Sequence, residues 1–311
     1  NRVTNVTLFF YNYITINTMK FLKLKPSVGL LSIPYSLIFI FFFFIPLILT
    51  FIISFWDYNE YSIIPDFIFE NYSYIFKDCL NFEKDMCVTF KTYLSTFIFC
   101  FITWFFTLII GFFVAYFLAF YVNSITWQIV LFLLCTIPFW TSNVIRMISW
   151  IPLLGRNGLV NDFLLSTGLA DAPQEWLLYS GFSIVLAFVH LYTLFMIVPI
   201  FNSMMRIDKS IIEAAYDNGA NGLQILWNVI IPLCKPGIVI GSIFVITVVM
   251  GDFITIGIMG GQQIPSIGKI IYVEMSYLQL PAAAANAVIL LALTLLIIWI
   301  MTKMIDIRKE L

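Results

Sequence analysis

The chain has 311 residues, of which 61% are hydrophobic and 11% charged, and its mean hydropathy is +0.99. A soluble domain carries about 45–50% apolar and about 25% charged residues. This composition excludes a soluble enzyme, a nucleic-acid-binding protein and a disordered chain, and it indicates a protein that folds in a lipid bilayer. The formal net charge of −1 points to no partner. Five Cys and one His supply few ligands for a metal, so no metal site is predicted.

Residues 1–27 precede the first long apolar run, and we interpret them as an N-terminal cytoplasmic segment. Because Met19 is followed by a basic stretch, we hypothesise that translation starts there and that residues 1–18 are not part of the native protein. The apolar run after Lys25 is longer than the about 7–15 residues of a signal-peptide core, which favours a membrane span.

A spanning helix needs about 20 apolar residues, and several stretches of the chain satisfy this. The six candidates are Val28–Phe55, Tyr93–Val122, Trp127–Trp150, Gly181–Met204, Gly237–Met259 and Ala283–Met304. They are continuously apolar, without the alternation of barrel strands, and a helix satisfies its backbone polar groups within one segment. The predicted fold is therefore an all-α polytopic membrane bundle of six transmembrane helices over residues 28–305, in which Pro46 and Pro138 are tolerated as kinks. Residues 306–311 form a C-terminal tail.

The distribution of charge predicts the orientation. With the N-terminus inside, the inner segments hold 10 of the 16 Lys and Arg residues, and the outer segments hold 11 of the 17 acidic residues. Excess Lys and Arg mark the cytoplasmic side, so both termini are predicted to be cytoplasmic. Cys79 and Cys87 share an outer loop, eight positions apart; a disulfide and a pair of reduced thiols both stay open.

Residues 205–236 form the only long inner loop. Ser210-x-x-Glu213 has the pattern of a capping box, which predicts that a helix begins at Ser210. Gly219 and Gly222 then provide a permissive backbone where that helix should end.

A second short helix is predicted over Leu223–Ile230, stopped ahead of Pro232. Its apolar side chains fall at helical spacing on one face, namely Leu223, Leu226, Trp227 and Ile230. The pattern alone also fits a connector helix that lies in the membrane interface.

The residue order in this loop resembles a known family. Glu213-Ala214-Ala215, then Gly219 after three residues and Val229-x-Ile231-Pro232 after nine more, is similar to the EAA signature of permease subunits of ABC importers. The family pattern ends in Ile-x-Leu-Pro, so Val229 and Ile231 depart mildly from it. Further matches resemble the spermidine/putrescine branch: Pro138-Phe-Trp-Thr-Ser-Asn-Val-Ile-Arg146, Trp150, Leu154-Gly155, Gly158-Leu-Val-Asn161 and Gly260-Gly261. The resemblance covers residues 28–311.

The resemblance implies the fold of a type I ABC importer permease and a non-catalytic inner-membrane subunit that transports a polyamine. It implies partners: separate ABC ATPase subunits that bind ATP and Mg, a second related permease and an extracytoplasmic solute-binding protein. The ATPase-docking residues that it implies are Glu213, Ala214, Ala215, Gly219 and Pro232. No G-x-x-x-x-G-K-[ST] phosphate loop occurs in the sequence, so no bound cofactor is predicted for this chain.

Four residues are candidates for a substrate path. Asp252 lies in the fifth predicted span, and a charge there is costly enough that it should face the bundle interior or water. It could contact an ammonium group, or it could be a hydrogen-bonded helix partner. Trp140 and Trp150 could line a cation path or anchor the membrane interface. Arg146 could pair with an acid, extend outward or touch a binding protein.

Several alternatives stay open at this stage. His190 is interpreted as a packed, hydrogen-bonded residue rather than a proton relay. The solute could instead be an amino-acid derivative, another organic cation, iron or a phosphonate. A secondary transporter or channel would need no ATPase but should show internal repeats or several intramembrane charges. A membrane enzyme would need clustered His, Asp or Glu, and the acids here are scattered.

Overall fold

The structure is a computed structural model that describes residues 28–59, 62–77, 79 and 87–303. The predictions made for the N-terminal segment 1–27, for the start at Met19 and for the tail 306–311 lie outside the described residues. Within them the regular secondary structure is helical apart from one small hairpin, which confirms the all-α membrane class. The helices are α1 Val28–Phe39, α2 Ile45–Ile53, α3 Glu70–Ile75, α4 Val88–Tyr116, α5 Ile125–Thr136, α6 Asn143–Leu154, α7 Leu159–Ser166, α8 Gly181–Met204, α9 Lys209–Asp217, α10 Gly222–Ile225, α11 Ile231–Gly251, α12 Ile254–Met259, α13 Ile267–Ser276 and α14 Leu280–Lys303.

Five helical segments in the described part of the chain are long and apolar enough to cross a membrane, and one bent pair supplies a sixth. The five are Ser32–Ile53, Val88–Tyr121, Glu175–Met204, Gly222–Gly251 and Leu280–Lys303. The protein is therefore a multi-pass membrane protein, as the apolar runs predicted.

The third predicted span, Trp127–Trp150, is broken rather than continuous. Ile125–Trp140 and Asn143–Ser166 are bent by 87° relative to each other. Pro138 has no N–H to continue the α-helical ladder and lies in a 3-10 turn, after which Thr141 is extended with φ −95° and ψ 151°. The prediction that Pro138 only kinks a helix is wrong, because the chain leaves the helical path three residues later.

The fifth predicted span, Gly237–Met259, is also displaced. The helix begins earlier, runs to Gly251 and ends before Asp252, whose backbone is extended with φ −78° and ψ 113°. The short helix α12 follows as a separate element. Asp252 therefore lies at the end of a spanning helix and not inside it.

The first span is one helix with an inserted π turn at Ile40–Phe44, directly before α2. The Ile45 N–H bonds to the Ile40 carbonyl, one residue further back than in an α-helix. Pro46 follows at the second position of α2, so its missing N–H falls where the π turn has already changed the backbone hydrogen-bond pattern. This is how the helix accommodates Pro46 as predicted.

Three long helices, α4, α8 and α11, pack directly against one another and form the centre of the remainder of the chain. Small residues allow the close approach: a Cβ on Gly111 or on Gly241 would lie 2.8 Å from Met196, and one on Gly237 would lie 2.4 Å from the Pro199 carbonyl oxygen. Lipid provides no hydrophobic force between helices, so close backbone packing of this kind stabilises the bundle.

The outer loop after α2 is ordered by a small hairpin and a short helix. Strands β1 (Asp57–Tyr58) and β2 (Ile63–Ile64) pair antiparallel, and α3 follows. A disulfide joins Cys79 to Cys87, so the prediction left open between a bridge and two thiols is decided in favour of the bridge.

Candidate functional site

The inner loop folds as two helices separated by a glycine turn, as its sequence predicted, but its first cap differs. The N-cap of α9 is Asp208, whose Oδ1 accepts from the Ser210 N–H at 3.0 Å. The predicted capping box beginning at Ser210 is therefore wrong by two residues. A carboxylate is the stronger acceptor for the unpaired N–H groups at a helix start, and these bonds from Ser210 hold the pKa of Asp208 below its usual value.

Gly219 makes the turn between the two helices. Its φ is +83°, and a Cβ there would meet no atom within 4 Å. Glycine is therefore needed for the left-handed backbone and not for space. Asn221 and Gln224 then cap each other's backbone N–H groups at 2.9 Å and start α10.

The second helix does not stop before Pro232, contrary to the prediction. A π turn at Leu226–Ile230 carries it into α11, and the Ile231 N–H bonds to the Leu226 carbonyl. Pro232 takes the second position of α11, where its missing N–H is tolerated. The second helix of the loop is therefore continuous with a spanning helix that ends at Gly251.

The apolar residues of this loop are divided between two faces. Ile230 is buried and Leu226 is half-buried, whereas Leu223 and Trp227 are 70% and 66% exposed. The four residues predicted to form one apolar face therefore differ in exposure, and a π turn begins at Leu226 within this segment. Glu213, Ala214 and Gly219 are exposed and Ala215 is half-buried. We call the exposed residues Glu213, Ala214, Gly219, Leu223 and Trp227 the loop surface.

A second feature lies at the other end of α11. Asp252 is half-buried and lines a cavity of about 400 Å3. Its Oδ1 accepts from the Thr255 N–H at 2.9 Å, and its Oδ2 accepts from the Thr255 hydroxyl at 2.5 Å and from the Tyr192 hydroxyl. Asn143 and Thr247 also line this cavity.

The other candidate residues are placed differently. Arg146 is buried and donates from Nη2 to Asn143 Oδ1, on a helix next to the cavity. Trp150 is half-buried and donates from Nε1 to His190 Nδ1 at 3.0 Å, so His190 is hydrogen-bonded as predicted, but it is exposed rather than packed. Trp140 is 83% exposed at the break of the third span.

Sequence reasoning missed Tyr192, Thr255 and Asn143. Two of them had a local signal, since Thr255 follows Asp252 by three positions and Asn143 precedes Arg146 by three. Tyr192 had none, because its contact with Asp252 joins residues 60 positions apart.

Comparison with known proteins identifies relatives of this chain. No sequence model of a protein family matches it. It is 34% identical over 187 residues to the spermidine/putrescine transport system permease protein PotB of Escherichia coli K12, and the match covers 59% of this chain and 67% of the relative. PotB of Haemophilus influenzae is 30% identical over 186 residues, covering 58% and 65% of the two chains.

A solved structure shares the fold. The crystal structure of a bacterial alginate ABC transporter, in complex with a periplasmic protein that binds an alginate pentasaccharide, contains a chain with a TM-score of 0.71 to this one. The two chains are 15% identical, and the match covers 92% of this chain and 96% of the other.

Proposed function

The chain belongs to the PotB family of ABC transporter permeases, and from that premise we propose that it forms the translocation path of an ATP-driven importer for spermidine or putrescine. The single observation that carries the choice of a cation is the Asp252 carboxylate. It lines a cavity of about 400 Å3 and has no basic side chain in ion-pair contact among the described residues. A carboxylate in a partly apolar cavity favours an ammonium group.

The loop surface supports a mechanical role for the inner loop. Its exposed Leu223 and Trp227 would be covered by a partner, since exposed apolar side chains on a loop that also carries polar residues such as Glu213 are typical of a docking site. In the proposed assembly, two ATPase subunits, a second permease and an extracytoplasmic solute-binding protein complete the importer. ATP and Mg would be held by the ATPase, and this chain performs no catalysis.

Alternating access follows from the continuity of the helix. Because Gly222–Gly251 is one helical segment, a displacement of Leu223 and Trp227 would reach Asp252 along a continuous helix. ATP binding on the partner would close the ATPase dimer and favour the outward-open state, and hydrolysis would restore the inward one. The nucleotide must favour one state differentially, since equal affinity for both would shift nothing.

The docking role predicts that Glu213→Lys leaves the chain inserted and folded but abolishes ATP-driven uptake and retention of the ATPase during purification. The matched control is Asp171→Lys, an equal charge reversal at an exposed site that we place on the outer face. Uptake at the wild-type rate in Glu213→Lys would refute the docking role. We also place both termini in the cytoplasm, and a C-terminal reporter active only outside would contradict this.

The choice of solute is tested by thermal stabilisation of the assembled importer with its binding protein. Spermidine and putrescine should raise the melting temperature, whereas an amino-acid derivative, iron or a phosphonate should not. Stabilisation by one of the latter alone would leave the importer assignment intact and overturn the polyamine assignment.

A further inference from the structure

A second cavity lies apart from the one that Asp252 lines. Its volume is about 150 Å3, and its lining includes Arg146 and His190 but neither Asp252 nor any other carboxylate. Thr193 and Cys135 are its remaining polar lining residues, and the others are aliphatic, aromatic or proline. The cavity is thus lined by a cation and by largely apolar walls.

The guanidinium of Arg146 has no carboxylate in ion-pair contact in the described part of the chain. The residue is only 9% exposed, and its Nε is buried without a hydrogen-bond partner there. Its Nη2 donates to Asn143 Oδ1, which is a neutral acceptor. Among the residues that the structure describes, the only ion pair joins Arg156 to Glu175 at 3.7 Å, on the exposed surface.

A buried charge without a partner is costly, and native proteins pair it or neutralise it. Arginine cannot lose its proton in a protein. An anion that is not a side chain of the described residues would compensate the charge at Arg146.

His190 adds a second donor to the same cavity. Its Nδ1 accepts from Trp150 Nε1 at 3.0 Å, so the neutral imidazole must carry its proton on Nε2. The Thr193 hydroxyl donates to the Val189 carbonyl at 2.5 Å and has no proton left to offer. The N–H groups available to a ligand are thus those of Arg146 and His190.

We propose that this cavity binds a small inorganic monovalent anion, for which chloride is the cellular representative. The anion accepts from the Arg146 guanidinium and from His190 Nε2 and neutralises the positive charge. Since a water molecule's share of liquid volume is about 30 Å3, a cavity of about 150 Å3 holds a halide with a few waters. The anion and the proposed cationic solute therefore bind in different cavities, the solute in the one that Asp252 lines.

The test measures the melting temperature of the purified full chain, and of the assembled importer, in sodium chloride and in sodium gluconate at equal ionic strength. For the wild type we expect a saturable rise with chloride and none with gluconate, a far larger anion. Arg146→Gln should lose this response, and without chloride it should melt no lower than the wild type, because the uncompensated charge has been removed.

The matched control is Arg156→Gln, which removes an exposed arginine and should keep the chloride response. Bromide gives an independent readout that does not depend on variant folding, since its anomalous scattering in crystals of the importer should locate it beside Arg146. Equal melting of the wild type in chloride and gluconate, or an unchanged response in Arg146→Gln, would overturn the proposal. Loss of stability in Arg146→Gln with no chloride effect in the wild type would also overturn it, because a partner subunit's carboxylate would then supply the charge.

Discussion

The substitution Asp252→Asn separates the charge at the cavity from its shape. The amide oxygen can keep the bond from the Thr255 N–H at 2.9 Å. The new amide N–H2 faces the hydroxyls of Tyr192 and Thr255, which can rotate and accept instead of donate. Two hydrogen bonds are rearranged, each worth about 0.5–1.5 kcal/mol, so we expect the free energy of unfolding to fall by about 1–3 kcal/mol.

The effect on a cationic solute should be larger. An ammonium group about 4 Å from a carboxylate gains about 4 kcal/mol at an effective dielectric constant of about 20. Desolvation of the ammonium offsets part of this gain. If about 2 kcal/mol remains, the affinity falls about 30-fold, at about 1.4 kcal/mol for each factor of ten.

The assay is ATP-driven uptake of labelled spermidine into proteoliposomes that hold the complete importer, with the binding protein in excess. Asp252→Asn should raise the apparent KM about 30-fold, as worked above from the charge pair. Asp252→Glu keeps the charge and should recover part of the loss. Thr247→Val alters the same cavity without a charge and should have little effect. Wild-type rate and affinity in Asp252→Asn would refute the assignment of Asp252 to the path.

Two further predictions concern stability. Gly237→Ala forces a Cβ to within 2.4 Å of the Pro199 carbonyl oxygen and should lower the free energy of unfolding by about 3 kcal/mol, the upper end of the cost of overpacking. The melting temperature in detergent measures this loss, and the control is Gly257→Ala, whose Cβ meets nothing within 4 Å. Equal melting temperatures for the two variants would contradict the close packing at Gly237. Burial raises the pKa of Glu274, although Asn286 donates to both its oxygens at 2.9 and 3.0 Å. A raised folded-state pKa means that the folded state binds the proton more tightly, so this contribution to stability grows as pH falls from 7 toward the ordinary pKa of 4.5. Glu274→Gln should remove the rise in melting temperature that this contribution produces at lower pH. The same pH dependence of the melting temperature in the wild type and in Glu274→Gln would contradict the prediction.

Much of the architecture could be predicted from the chain because lipid leaves few options. Apolar runs of spanning length must become helices, since no water is present to satisfy the backbone, and this predicted the positions of four spanning segments and the existence of a fifth, whose ends are displaced. The glycine turn of the inner loop could also be predicted, because the left-handed φ of +83° at Gly219 is a local requirement. The Glu213-Ala214-Ala215 pattern could likewise be identified from neighbouring residues in the sequence alone.

The errors arose where neighbouring elements decide a local choice. Pro138 and Pro232 both lack an N–H, yet the chain leaves the helix after the first and continues through the second by way of a π turn. Local sequence cannot distinguish these outcomes, because the energy of a kink, a break and a π turn depends on what packs beside them.

The surroundings of the charged residues were decided by tertiary structure alone. The sequence determined that Asp252 and Arg146 lie in apolar stretches and therefore require compensation. Only the packing of α8 against α11 decided that Tyr192 reaches Asp252, and only the surroundings of α6 decided that Arg146 has no carboxylate in ion-pair contact among the described residues. The physical reason is the sequence separation of the interacting residues. Apolar periodicity and turn preferences depend on residues a few positions apart, whereas a hydrogen bond between residues 60 positions apart exists only once the helices have packed.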